Sequence, residues 1–309
     1  MKKISKWLLI LMLICINTVS AVDGVIEINQ TCAVHTGCHE NDSAGFPVLI
    51  SGDAKTSYRL TSDLVLPDEN TTAIMINRIN VSIDLNGYSI MRTGCHTACD
   101  SISGTGSGIE ILTNGFSGVA IKNGTISGLG RDGVRSLNGS HITVESLRVS
   151  SNGSLGIRLD IASIVRGCMV YNNNQGIAGD DYSIINNNTV YSNEQQGILV
   201  HNSLVKSNTV TGNGSYGISS YESSKIHENI ILQNAGDGIQ LRDFSPTSSR
   251  GALINDNQIS GNDLYGIKVI SGNRHVFSGN MITNNFSGTI SGTLFNMGNN
   301  FCTSNDVCP

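Results

Sequence analysis

The sequence is short of aromatic side chains, of charge, and of long apolar runs. Aromatic residues make up 5% of the 309 positions and charged residues 14%. That excludes a wide core built on large rings. No helix-length apolar stripe occurs, and the abundant Asn, Ser, Thr and Gly are poor helix formers, which together exclude a helical domain. Net positive charge is also missing: 19 basic side chains stand against 24 acidic ones. Nucleic acid and anionic membrane are therefore excluded as expected partners. The GGxGxD calcium repeat, the CxxC spacing of a zinc site and a defensible Ser-His-Asp spacing are absent as well. The glycine-rich GTGSG at Gly104–Gly108 lacks the Lys-Ser/Thr of a phosphate loop and reads as a turn.

What is present is a repeat. A Gly followed by Ile recurs at Gly156, Gly176, Gly197, Gly217 and Gly238, with gaps of 20, 21, 20 and 21 residues. Gly108, Gly133 and Gly266 extend the frame, with a weaker Gly288. A period this short predicts one continuous stack of β coils, with Ile, Val and Leu filling a narrow core. Two columns of asparagine run through it: Asn188, Asn208, Asn229, Asn257 and Asn280, then Asn152, Asn173, Asn193, Asn213, Asn234, Asn262 and Asn285. Asn tolerates a left-handed bend, and its amide both donates and accepts, so each column reads as a structural ladder at the coil corners. Cys168 falls in the first column and reads as a small buried filler.

Residues 1–21 read as a secretory signal: Lys2, Lys3 and Lys6, an apolar stretch from Trp7 to Ile16, and Val19-Ser20-Ala21 as the cleavage site. Cleavage leaves 16 basic against 24 acidic residues and removes the one Trp and Cys15. The product is expected to be secreted, extracellular or periplasmic, with no membrane attachment. Residues 22–57 are expected to cap the stack, 58–288 to form it, and 289–309 to close it. An open β stack exposes backbone and apolar side chains, so caps are needed. Cys32 with Cys38, Cys95 with Cys99, and Cys302 with Cys308 form short-range pairs that read as disulfides in an exported chain. A metal site is the competing reading, because His35, His39 and His96 lie among the first four cysteines.

The Gly-Ile repeats, apolar triplets and Asn columns resemble the right-handed parallel β-helix of the pectate-lyase-like superfamily. The opening YRLTSDLVLP, TAIMI and NVSIDLNGYSI and the closing NMGNNFCTSNDVC are similar to secreted bacterial β-helix repeat proteins. The resemblance covers roughly residues 58–301. It implies an all-β, single-stranded solenoid, and it leaves the chemistry open among lyases, hydrolases, epimerases, esterases and adhesins.

Side-chain alternation from each Gly assigns two outward columns. The first holds Arg135, Arg158, Ala178, Leu199, Ser219, Gln240 and Lys268; the second holds Leu137, Asp160, Asp180, His201, Tyr221 and Arg242. Asp160 and Asp180 become coil neighbours about 4.8 Å apart, with Asp181 beside them. Two such carboxyls do not both ionise freely, and a protonated acid beside an ionised one suits general acid–base cleavage of a glycosidic bond. Asp160, Asp180, Asp181 and His201 are thus the catalytic candidates. Arg158, Tyr221, Arg242 and Lys268 are the substrate-binding candidates, the cations being suited to an acidic sugar. The order Asp, Asp-Asp, His, Arg is similar to that of β-helix polygalacturonases, although the NTD, GHG and RIK motifs and the pectate lyase signatures are missing. No cofactor is expected; a calcium held by Asp160, Asp180 and Asp181 is the one ion that fits the sequence. The expected partner is a polysaccharide or cell-surface glycan. Three functions follow: passive glycan binding along the strand face, polysaccharide hydrolysis or lysis, and a structural or adhesive role. The insertion from Phe244 to Gly251 is the loop most suited to carry function.

Overall fold

The computed structural model describes residues 24–52, 57–95, 99, 103–243, 251–272, 274–302 and 308. The expected signal, most of the Phe244–Gly251 insertion and His96 lie outside the described residues. The chain winds into a right-handed parallel β-helix in which most coils contribute three short strands, the last two being merged into one in Ala120–Ser127 and Thr143–Ser150. One of these, such as Gln175–Gly179, joins a sheet of eleven strands in chain order, from Val48–Ile50 to Gly288–Ser291. The other two, such as Ile184–Asn186 and Thr189–Tyr191, pair with Leu204–Lys206 and Thr209–Thr211 of the next coil and build the remaining wall. Strands in the first segment also pair in: Val25–Ile28 lies against Ser57–Leu60, and Val48–Ile50 against Ile74–Ile76.

The repeat stacks because like sits on like. Ile157, Ile177, Ile198, Ile218, Ile239 and Ile267 are wholly buried in one internal column, and Val170, Val190, Val210, Ile231, Ile259 and Ile282 in a second. Each such side chain contributes about 1.5–3 kcal/mol on leaving water. Glycine is required before the Ile because the wall and the next coil approach it closely. A Cβ on Gly197 would meet Val210 Cγ1 at 2.6 Å and the Gly217 carbonyl oxygen at 2.9 Å. At Gly288 the frame slips: Gly288 faces Tyr265, and the buried Thr289 occupies the column's glycine place, next to Gly266.

Both asparagine columns form ladders. Each Nδ2 donates to the Oδ1 of the Asn one coil on, at 2.8–3.2 Å, from Asn152 to Asn285 and from Asn188 to Asn300. The backbone N–H of the same residue donates to the same oxygen, as from Asn193 to Asn213 at 3.1 Å. Asn300 completes a ladder that the sequence suggested ended at Asn280. The left-handed residue, however, is not the ladder Asn but the one before it: Asn187, Ser192, Ser207, Glu228, Gln233 and Asp256 all have positive φ. The bend precedes the Asn so that its amide can point inward along the stack.

Cys168 occupies the first column as expected, its N–H donating to Asn188 Oδ1 at 2.9 Å. Burial pushes its thiol up to about 11. Disulfides join Cys32 to Cys38, Cys95 to Cys99 and Cys302 to Cys308, which removes the thiolates that a metal site among the first four would need. Among the described residues no helix is long and apolar enough to cross a membrane.

Candidate functional site

The site lies on the outer face of the eleven-stranded sheet, where register sets the neighbours. Arg135 pairs with Arg158, Arg158 with Ala178, Ala178 with Leu199, Leu199 with Ser219, Ser219 with Gln240 and Gln240 with Lys268. Three of these outward residues, Arg135, Ser219 and Gln240, are nevertheless buried. Arg135 is covered by carboxylates, its Nε lying 3.6 Å from Glu110 and 3.9 Å from Asp132. Gln240 is overlaid by the side chains around Asp237, whose Oδ2 accepts its amide at 3.5 Å. Outward direction and exposure are therefore separate properties on this face.

The second column starts one residue beyond the strand ends. Asp160 follows Leu155–Leu159 and Asp180 follows Gln175–Gly179, while His201 closes Ile198–His201. A buried serine ladder holds these turns from behind. Ser183 N–H donates to Ser203 Oγ at 3.0 Å, Ser203 Oγ donates to the Asp180 carbonyl at 2.9 Å, and Ser183 Oγ donates to that of Asp160 at 3.3 Å. The recurrence of Ser163, Ser183, Ser203 and Ser224 at the coil period was the signal for it.

Asp160, Asp180, His201 and Arg158 meet in a cavity of about 320 Å³, whose other walls are Leu155, Leu159, Gln175, Ala178, Gly179 and Leu199. His201 Nδ1 stands 3.4 Å from Asp180 Oδ1. Burial, and then the Asp180 carboxylate, push the Asp160 carboxyl above its ordinary range, against the opposing pull of Arg158. Asp160 Oδ2 is buried without a hydrogen-bond partner, which adds to the cost of ionising the group. The pair therefore sets a carboxyl with a raised pKa beside a second carboxyl in contact with an imidazole.

The remaining candidates lie outside this cavity. Asp181 turns along the chain, its N–H donating to Asp180 Oδ1 at 2.9 Å. Tyr221 is one coil beyond His201, with ring centroids 4.8 Å apart and planes inclined by 57°, and Arg242 pairs with Tyr221 a further coil on. Lys268 stands 4.0 Å from Asp237 Oδ2 and over the Tyr265 ring. Asp160, Asp180 and Asp181 do not converge on a common point, and among the described residues no three His, Cys, Asp or Glu side chains are arranged to hold a metal ion. Leu155 and Gln175 were not anticipated, because they precede the Gly from which alternation was counted.

Comparison with known proteins bears on the fold that carries this geometry. Pectate lyase Pel9A superposes with a TM-score of 0.63 at 14% identity, covering 90% of this chain and 78% of that one. The periplasmic alginate epimerase AlgG superposes with a TM-score of 0.56 at 14% identity, covering 89% and 83%. An alginate lyase from Paenibacillus sp. str. FPU-7 superposes at 0.55 and 14% identity, covering 88% and 99%. No curated protein sequence matches the chain. The right handed beta helix region matches residues 68–203 and 201–306, and since these make up most of the sequence, the chain belongs to that family.

Proposed function

We propose that the protein engages an extended polysaccharide along the outer face of the eleven-stranded sheet, with the Arg158–Asp160–Asp180–His201 cavity as the central contact. The observation that carries this reading is the convergence of four polar side chains from three successive coils in one cavity. Its volume of about 320 Å³ falls within the range of ligand-sized pockets, about 300–1,000 Å³. Coils about 4.8 Å apart give a long polymer repeated contacts along the axis. That pectate and alginate are acted on by proteins of this fold supports a polymer as ligand. Three short-range disulfides suit an oxidising compartment, in keeping with export through residues 1–21. The test is binding of the chain from residue 22 onward to a polysaccharide array, followed by titration calorimetry. Absence of binding across the array rejects the reading.

A second reading, catalysis at the same site, is favoured by the unequal surroundings of the two carboxyls, Asp180 alone having His201 against it. In this reading Asp160, whose carboxyl is raised, donates a proton to a leaving glycosidic oxygen, while Asp180 with His201 accepts one from water or from the sugar. Release of new reducing or unsaturated ends from a bound polymer tests it.

A further inference from the structure

We propose that the sugar unit seated in this cavity is uncharged and carries an acetyl group, its methyl resting on Leu155, Ala178 and Leu199. The inference rests on the polysaccharide reading of the same site and adds the substituent that the site selects. Along the first outward column the two later cavity coils differ from their neighbours. Arg135 and Arg158 precede them and Ser219, Gln240 and Lys268 follow, whereas Ala178 and Leu199 are apolar and remain partly exposed. Leu155 adds a third partly exposed apolar side chain to the same cavity. Hydroxyls pressed against this wall would lose their water without gaining a partner, which is costly; a methyl has no such loss.

The carboxyl groups of the cavity disfavour an acidic unit. Asp160 and Asp180 both line it, so a sugar carboxylate there would crowd a third carboxyl group against them. An acetyl group offers instead a single neutral carbonyl. Arg158, which only donates, reaches into the same space. Gln175 is tied into an amide row, donating to Gln195 at 3.3 Å and accepting from Gln196 at 3.1 Å, so it forms a fixed rim. Arg242 and Lys268 lie coils away, where neighbouring units of the polymer would pass.

The experiment uses matched ligands that differ only at the acetyl-bearing substituent. O-acetylated xylan and mannan are compared with their alkali-deacetylated forms, and chitohexaose with cellohexaose, which carries hydroxyl in place of acetamido. The expected result is tighter binding of the acetylated member of at least one pair. The Leu199→Gln variant should narrow that preference by about fivefold, the scale of one lost methyl-sized contact. Preference confined to the xylan and mannan pairs identifies an O-acetyl carrier, and preference for chitohexaose an N-acetyl one. Binding that ignores acetylation overturns this inference and leaves the polysaccharide reading standing. Binding to no polymer, acetylated or plain, overturns both. Circular dichroism checks the variant's fold, and Ala178→Ser, a smaller change on the same wall, replaces Leu199→Gln if that variant does not fold.

Discussion

His201 holds its Nδ1 3.4 Å from Oδ1 of Asp180, a contact made across a coil boundary and not along the chain. The two residues meet only because Gly179 and Val200 pair in the sheet beneath them. Any shift of register by one residue would turn His201 into the core and leave the carboxylate alone.

Asp180→Asn therefore separates charge from shape. Where the wild type releases product from a polymer, the variant is expected to lose at least about a hundredfold in turnover, the scale of one acid–base group. Affinity for the same polymer, measured by calorimetry, should change far less. Equal losses in turnover and affinity would place Asp180 in binding alone.

Asp160 makes stability depend on pH in a defined direction. Its carboxyl is raised in the folded chain, so the folded state binds the proton more tightly than the unfolded one. Stability should fall as pH rises from the unfolded value, about 3.9, through the raised folded value, and stay level above it. Asp160→Asn removes that loss. Its melting temperature should exceed that of the wild type at pH 7, with the advantage shrinking toward pH 3.

Asn213→Ala interrupts a ladder at its middle. Asn213 donates to Asn234 at 2.9 Å and to the Val190 carbonyl at 3.4 Å, and accepts from Asn193 at 2.9 Å. All of these groups are buried, so the expected cost is roughly 3 kcal/mol in urea unfolding, the upper range for leaving buried polar groups unsatisfied. Asn186, outside both ladders and part of the outer wall, should tolerate the same change within about 0.5 kcal/mol.

Cys168 should resist alkylation. Its thiol is buried and raised to about 11, while the other cysteines from residue 22 onward are paired. Iodoacetamide at pH 8 under non-reducing conditions should label nothing in the folded chain and one thiol after unfolding. Mass spectrometry reads both outcomes, and labelling at Cys32, Cys95 or Cys302 would reject the disulfides.

The coil period, the Ile columns and both Asn ladders were legible in the sequence because each repeats a local requirement at a fixed interval. The same frame was enough to bring Arg158, Asp160, Asp180 and His201 together. It did not show that Arg135 is buried, because its cover combines Glu110 of the preceding coil with Asp132 three residues earlier, a contact that alternation along one strand does not describe. Nor did it show that the bend falls on Ser207 and not on Asn208, since both residue types tolerate turns and only backbone geometry separates them. Thr289 hid the last register step by standing where glycine was expected. Leu155 entered the cavity unseen because a wall is a property of three dimensions, while alternation describes one strand at a time.

The asparagine ladders have a direction. Within each ladder the amide-to-amide bond runs one way, from Nδ2 to the Oδ1 of the following coil, so successive coils present the same socket below and the same plug above. The spacing between plugs is free to vary, being 20 residues from Asn188 to Asn208 and 28 from Asn229 to Asn257. Coils are in this sense interchangeable parts. The molecule can be lengthened, shortened or given a new loop by whole units, with neither neighbour needing redesign.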